Sequence, residues 1–437
     1  MSGEGPTFKQ AARVWLRVAA LSFGGPAAQI ATMHAIVVEE KRWVSDARFL
    51  HALNYCMLLP GPEAQQLSIY LGWLLHRTAG GLTAGLLFVA PGALALMGLS
   101  VVYVLYGQIG IVAGLFFGLK AGVLAVIAQA WWKLARRALR TGALRALAGA
   151  AFVALFFLHA PFPLVIALAG AVGALALPAP SPAHGGDSAL GEETPPHARP
   201  SLAGFTRAVA IWAPVWLAPV AALWLILGPD NIFARLATFF SGTALITFGG
   251  AYSVLAFVAQ QAVERFHWLS PHEMLDGMGL AETTPGPLIM VLQFVGFLAA
   301  FRTPGPLAPL LAGVLGGLLT TWVTFAPCFL WVFAGAPFVE ALRGVKALGA
   351  ALSAISAAVA GVILNLTVWL AIHTLFRETV TFHGLDAPAW QSVNLPAVAL
   401  ALGAAALLFG TRAGATATLA AAAAAGAALR AWGIVVV

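Results

Sequence analysis

One stretch of the chain occurs twice, and it limits what kind of backbone the rest can build. Residues 23–62 open with Phe23-Gly24-Gly25, pass Glu39, Trp43 and Ser45, and close at Pro60-Gly61-Pro62. Adding 225 to each number lands on Phe248-Gly249-Gly250, Glu264, Trp268, Ser270 and Pro285-Gly286-Pro287. No gap is needed, and twelve of the forty aligned positions are identical, a density that marks internal duplication. Glycine and proline act mainly on the backbone, so a unit that repeats them inside apolar segments repeats a backbone shape.

Of the 437 residues, 61% are hydrophobic and only 9% are charged, against roughly 25% charged in soluble domains. Apolar runs of about 20 residues, each long enough to cross a bilayer, recur along the whole chain. These features predict an all-α polytopic membrane protein of the cell (inner) membrane, with the lipid bilayer as its surroundings. The net charge of +7 is spread over short loops, as the positive-inside rule explains. It is not gathered with interleaved aromatics, so no nucleic-acid partner is expected. Cys56 and Cys328 stand far apart in apolar context and offer neither a disulfide framework nor metal spacing. The N-terminus shows no short apolar core followed by a cleavage site, so the first span reads as retained. No His/Cys cluster, phosphate-binding Gly-Lys-Ser/Thr loop or Gly-x-Ser-x-Gly motif occurs. No metal, cofactor or enzymatic activity is therefore expected.

Lys9, Arg13 and Arg17 flank the first span, residues 12–38, and point to a cytoplasmic N-terminus. Phe23-Gly24-Gly25-Pro26 lies near its middle, where a kink or unwound turn is expected. Residues 48–77 read as two half-helices meeting at Pro60-Gly61-Pro62, because Leu59 precedes a proline and Pro62 suits a first helical turn. Spans follow at 80–106, 110–131, 144–158 and 161–178, and the five cations from Lys133 to Arg145 read as a cytoplasmic loop. Residues 179–206, with His184 and His197, read as a flexible linker rich in Pro, Gly, Ser and His.

The expected domains are an N-terminal transporter repeat (1–178), that linker, an unrepeated linking span (207–231) and a C-terminal transporter repeat (232–437). The second repeat holds spans at 232–262, 272–301, 307–335, 346–375, 394–411 and 414–433. The count is about thirteen transmembrane segments, arranged six, one and six, and the odd number between the copies inverts the second. Were 48–77 a re-entrant hairpin, the five-cation loop would fall outside, so a crossing is the preferred reading. Inverted repeats with discontinuous helices are a signature of secondary transporters.

Half-helix N-termini within the membrane leave backbone N–H groups unpaired and favour negative charge. Two inverted copies would aim such ends at one centre, an anion site built from backbone. The candidate substrate-binding residues are Phe23, Gly24, Gly25, Pro60, Gly61, Pro62, Phe248, Gly249, Gly250, Pro285, Gly286 and Pro287. Gln65, Gln66, Thr283, Thr284 and Gln293 add neutral donors, which could equally hold helices together. Lys120, alone in an apolar run, reads either as a counter-charge to a dianion or as a snorkelling cation. Glu63 and Glu282 are the candidates for proton coupling, since carboxylates inside a membrane are costly and usually functional. Glu63 also reads as a cap on its own helix. His51 and Asn54 share a helix face and read as a polar lining.

These residues resemble the chromate ion transporter family. The run Asn54-Tyr55-Cys56-Met57-Leu58-Leu59-Pro60-Gly61-Pro62-Glu63-Ala64-Gln65-Gln66-Leu67, followed by Gly72-Trp73, resembles its N-terminal repeat. Gly279-Leu280-Ala281-Glu282-Thr283-Thr284-Pro285-Gly286-Pro287-Leu288 resembles its C-terminal repeat. The resemblance implies a long, two-domain member that exports chromate from the cytoplasm and confers resistance to it. A homodimer is compatible with the sequence. Moving one charge across the membrane is worth about 2.3 kcal/mol per 100 mV, so a dianion leaving a negative interior gains roughly twice that. Export coupled to proton entry is the expected mechanism. The competing expectations are a carrier of sulfate or another tetrahedral oxyanion, and a passive anion channel.

Overall fold

A computed structural model describes residues 6–23, 25–57, 59–107, 109–177, 201–246, 251–338, 346–382, 385–411 and 413–435. Gly24, Phe248, Gly249, Gly250 and nearly all of the 179–206 linker, with His184 and His197, lie outside the described residues. The protein is almost wholly helical. The helices are α1 (Phe8–Leu21), α2 (Gly25–His34), α3 (Asp46–Cys56), α4 (Glu63–Tyr106), α5 (Gly110–Ala138), α6 (Gly142–Phe156), α7 (Phe162–Ala176) and α8 (Leu202–Leu227). They continue as α9 (Ile232–Ile246), α10 (Ala251–Gln260), α11 (Pro271–Thr283), α12 (Val291–Arg302), α13 (Pro309–Gly335), α14 (Lys346–Leu375), α15 (Leu395–Gly410) and α16 (Ala415–Ala431). Five stretches, in α4, α5, α8, α13 and α14, are long and apolar enough to cross a bilayer unaided. Both Pro-Gly-Pro sites fall between helices, the first between α3 and α4 and the second between α11 and α12.

The local signals explain these limits. Thr7 and Gln10 form a reciprocal capping box at the start of α1, and Ser22 closes its end by donating its N–H to the Ala19 carbonyl. The cations from Lys133 to Arg137 do not form the expected loop. They continue α5 to Ala138, because Leu, Ala, Lys and Arg all favour helix and positive charge suits a helix C-terminus. The sequence also gives no warning of a short antiparallel hairpin, β1 (Thr379–Phe382) with β2 (Leu385–Pro388).

The duplication is structural down to single hydrogen bonds. In each copy the α-helix passes into a π-helical turn, Ala35–Glu40 in one and Gln261–Arg265 in the other. The residue before each tryptophan takes a left-handed conformation, Arg42 at φ 53° and His267 at φ 50°. The tryptophan N–H then reaches back to an equivalent carbonyl, Trp43 to Val37 at 3.0 Å and Trp268 to Ala262 at 2.7 Å. Ser45 and Ser270 follow, each accepting a backbone N–H from three residues on at the start of the next helix, as N-caps do. At the exposed end of the first copy, the bond from Arg17, with a smaller contribution from Lys41, holds the Glu40 carboxyl below its ordinary range.

The chain packs as two compact units that ignore the boundary between the repeats. The first is Met1–Met97, Ala179–Ala251 and Thr284–Leu348, and the second is Gly98–Pro178, Tyr252–Thr283 and Gly349–Val437. In the first, α4 folds back at His76 and Arg77, where the backbone leaves the helical region. A β-carbon on Gly72 would lie 2.5 Å from the carbonyl oxygen of Gly80, so the two arms touch backbone to backbone. Helices α12 and α13 form the corresponding hairpin, with Gly296 against Gly316.

The second unit is organised around α5. Gly114, Gly118 and Gly122 stand four residues apart on one face, against Ala422, Ala423 and Gly426 of α16. With no hydrophobic drive between helices in lipid, this close van der Waals approach is what joins them. A β-carbon on Gly118 would overlap the Ala422 carbonyl. Gly118→Ala is therefore expected to cost about 1–3 kcal/mol, the usual toll of overpacking. Thermal melting of the detergent-purified protein checks this. Gly142→Ala, where a β-carbon meets nothing within 4 Å, is the control that should melt as wild type.

Candidate functional site

Both Pro-Gly-Pro turns belong to the first unit and share one backbone shape. Gly61 has φ +125° and Gly286 φ +104°, values open in practice to glycine alone. The second turn is pinned from both sides. The Gly286 N–H donates to the Ser22 carbonyl at 2.8 Å, and Gln29 Nε2 donates to the Gly286 carbonyl at 2.6 Å. The interruption between α1 and α2 thus holds the interruption before α12. The first turn is closed locally, with Gln66 Nε2 donating to the Pro60 carbonyl at 2.8 Å. Gly92 lies against the second turn, where a β-carbon would come 2.5 Å from the Pro285 oxygen.

A small cleft lies where these turns release their helices. It is lined by Pro26, Gln29, Pro62, Glu63, Ala64, Ala251, Pro287, Leu288 and Ile289, and has a volume of about 10 Å³. Eight of the nine residues form repeat-equivalent pairs at the spacing of 225: Pro26 with Ala251, Pro62 with Pro287, Glu63 with Leu288, and Ala64 with Ile289. The lining is therefore pseudo-symmetric. Both sides present the first residues after a Pro-Gly-Pro, where backbone N–H groups have no intrahelical partner. The symmetry fails in polarity. Glu63 faces Leu288 across the pairing, and Gln29 corresponds to Val254.

Of the residues singled out from sequence, Pro62, Glu63 and Pro287 line this cleft, while Pro60, Gly61, Pro285 and Gly286 form its turns. Phe23 and Gly25 flank the break between α1 and α2, and Gly25 takes φ +82°. Gln65 and Gln66 are fully buried beneath the first turn but do not line the cleft. Both polar atoms of Gln65 lack a hydrogen-bond partner among the described residues. Thr284 is buried. Gln293 donates to the Ala93 carbonyl at 2.9 Å, which ties α12 to α4.

Three of the singled-out residues lie in the second unit. Thr283 returns its hydroxyl to its own helix, at the carbonyls of Gly279 and Leu280. Glu282 is buried and accepts a 2.7 Å bond from the Tyr252 hydroxyl, while its other oxygen has no hydrogen-bond partner among the described residues. Lys120 does not stand alone. Its ammonium lies 3.3 Å from Asp276, which also accepts from the Tyr103 hydroxyl at 2.9 Å. Asp276, Tyr252 and Gln29 escaped the sequence reading. A charged residue inside the apolar run of α11 was the available signal for Asp276. Gln29, the one polar side chain just after the first Gly-Gly-Pro, offered a weaker one. Among the described residues no group of three His, Cys, Asp or Glu side chains could hold a metal.

The sequence matches the family model described as chromate transporter over residues 9–174 and 234–428. It is 32% identical over 410 residues to the chromate transport protein of Pseudomonas aeruginosa, covering 90% of this chain and 90% of that protein. To the chromate transport protein of Cupriavidus metallidurans it is 26% identical, covering 84% and 83%. To the probable chromate transport protein of Synechococcus elongatus it is 30% identical, covering 76% and 77%. No solved structure matches the chain significantly.

Proposed function

The chain belongs to the chromate transporter family, and from that premise we propose a secondary carrier that exports chromate across the cell membrane, its N-terminus cytoplasmic and its ion site at the cleft between Pro62 and Pro287. The observation that supports this most is the paired lining: the opening residues of two half-helices, one from each repeat, border a single small space. Such ends attract anions through unpaired N–H groups and the helix dipole. The relatives named for chromate transport supply the identity of the ion.

The size of the cleft bears on mechanism. At about 10 Å³ it has barely room for one water, so a tetrahedral oxyanion enters only when the two half-helix ends move apart. A site that must open and close fits a carrier with alternating access and not an open pore. Inversion of one repeat relative to the other gives such a carrier two equivalent ways of opening. Membrane voltage alone favours departure of a dianion.

Inside-out vesicles loaded with this protein provide the test. Radiolabelled chromate in the medium should accumulate inside when the lumen is made positive, and the flux should saturate. Excess sulfate measures how far shape and charge alone select the ion, since backbone donors cannot readily separate the two. Non-saturating chromate flux would sink the carrier reading, and voltage-independent accumulation would remove voltage as the driving force.

A further inference from the structure

A second and larger cavity lies in the second unit, where α5 and α15 end together. Its volume is about 380 Å³, and it is lined by Gln129, Trp132, Lys133, Arg136, Arg137, Leu408 and Phe409. The helices are tied at this point by Gln129, whose Nε2 donates to the Leu408 carbonyl at 2.9 Å and whose oxygen accepts from Lys133 Nζ at 2.8 Å. The Arg136 guanidinium stands 5.9 Å over the Trp132 ring. Lys133, Arg136 and Arg137 are all exposed, and none has a carboxylate partner among the described residues. Trp132 and Phe409 are about half exposed, at 49% and 53%.

Cations at a helix C-terminus need no ligand to explain them, because the dipole and the positive-inside rule already favour them. Neither accounts for three cations, none ion-paired among the described residues, converging on one cavity with an aromatic and aliphatic wall. That combination suits a molecule with an anionic head and an apolar tail. We propose that this cavity binds an anionic phospholipid, its phosphate held by Lys133, Arg136 and Arg137 and an acyl chain lying along Trp132 and Phe409. Arginine forks match phosphate oxygens in pairs, and the cavity is of the size that specific small-molecule sites usually have. Basic pockets between membrane helices take lipid headgroups for this reason.

Native mass spectrometry of the full-length protein in detergent tests the assignment, with phosphatidylglycerol and phosphatidylcholine titrated separately. Phosphatidylglycerol adducts should form at about tenfold lower lipid concentration than phosphatidylcholine adducts, as the attraction of a few basic residues for an anionic headgroup implies. The triple variant Lys133→Gln/Arg136→Gln/Arg137→Gln should lose that preference, and Lys133→Arg/Arg136→Lys/Arg137→Lys should keep it. The second variant retains the charge, so a preference kept there and lost in the first, with phosphatidylcholine adducts unchanged in both, cannot be put down to misfolding. Equal adducts for both lipids in wild type would overturn the proposal. So would an unchanged preference in the charge-removed variant. Displacement of the lipid by inorganic phosphate, at an ionic strength where chloride does nothing, would overturn it too by assigning the cavity to a free oxyanion.

Discussion

Gly286→Ala should reduce the initial rate of chromate uptake into inside-out vesicles by at least about tenfold, without loss of the protein from the membrane. The backbone at Gly286 has φ +104°, and holding any other residue there costs on the order of 1–3 kcal/mol. A β-carbon would also sit 3.1 Å from the Cα of Gly92, closer than such atoms normally come. Relief requires the turn to move, and the turn is held by two short bonds, from its N–H to Ser22 and to its carbonyl from Gln29. Displacing it shifts Pro287, Leu288 and Ile289, one side of the cleft. Misplacement by about 1 Å can cost a hundredfold where geometry sets the rate.

Gly61→Ala should behave alike, since its φ is +125° and a β-carbon would lie 2.7 Å from Gln66 Nε2. Gly305→Ala separates strain from position. Gly305 also has positive φ, at +59°, but a β-carbon there meets nothing within 4 Å. That variant should transport at near wild-type rate. Wild-type transport by Gly286→Ala, measured per immunodetected molecule, would remove the turn from the mechanism.

The broken helices were legible because glycine and proline write their effect on the backbone of their own segment. Pro60-Gly61-Pro62 and Pro285-Gly286-Pro287 needed no tertiary context to be read as interruptions. The repeat offset then predicted which positions would share a shape, and the matching φ at Arg42 and His267 shows how far that carries. What stayed hidden depends on partners distant in sequence. Lys120 looks isolated in the sequence because Asp276, which also accepts from Tyr103 of α4, meets it only through the packing of α5 with α11. The hold of Gln29 on Gly286 spans the two repeats and has no local mark. The Gly114, Gly118 and Gly122 series was present in the sequence, yet its meaning rests on α16, three hundred residues on. Lys133 to Arg137 reads as loop from its charge, whereas helix propensity carries α5 on to Ala138.

Glu63→Gln is expected to flatten the pH dependence of chromate transport, and the sign follows from electrostatics. Glu63 is a lining residue of the cleft. Two like unit charges 4 Å apart repel by about 4 kcal/mol at an effective dielectric near 20, and chromate carries two. A charged Glu63 and the dianion therefore disfavour each other, while a proton on Glu63 lifts the repulsion. Wild-type binding from the medium should strengthen as the medium is acidified, the proton travelling with the ion. One negative charge still leaves with each such pair, so voltage still drives export.

With glutamine, which never carries the charge, transport at alkaline pH should exceed wild type by about tenfold or more and stay level as pH falls. Proton entry in exchange for chromate has the opposite sign, stimulation by an acidic lumen, and cannot run through a carboxylate that prefers its proton when the ion is bound. Glu282, in the second unit with Tyr252 on one oxygen, is then the candidate for that leg. Glu282→Gln should abolish stimulation by an acidic lumen and leave stimulation by an acidic medium intact. If both variants keep the full wild-type response to each gradient, proton coupling runs through neither carboxylate.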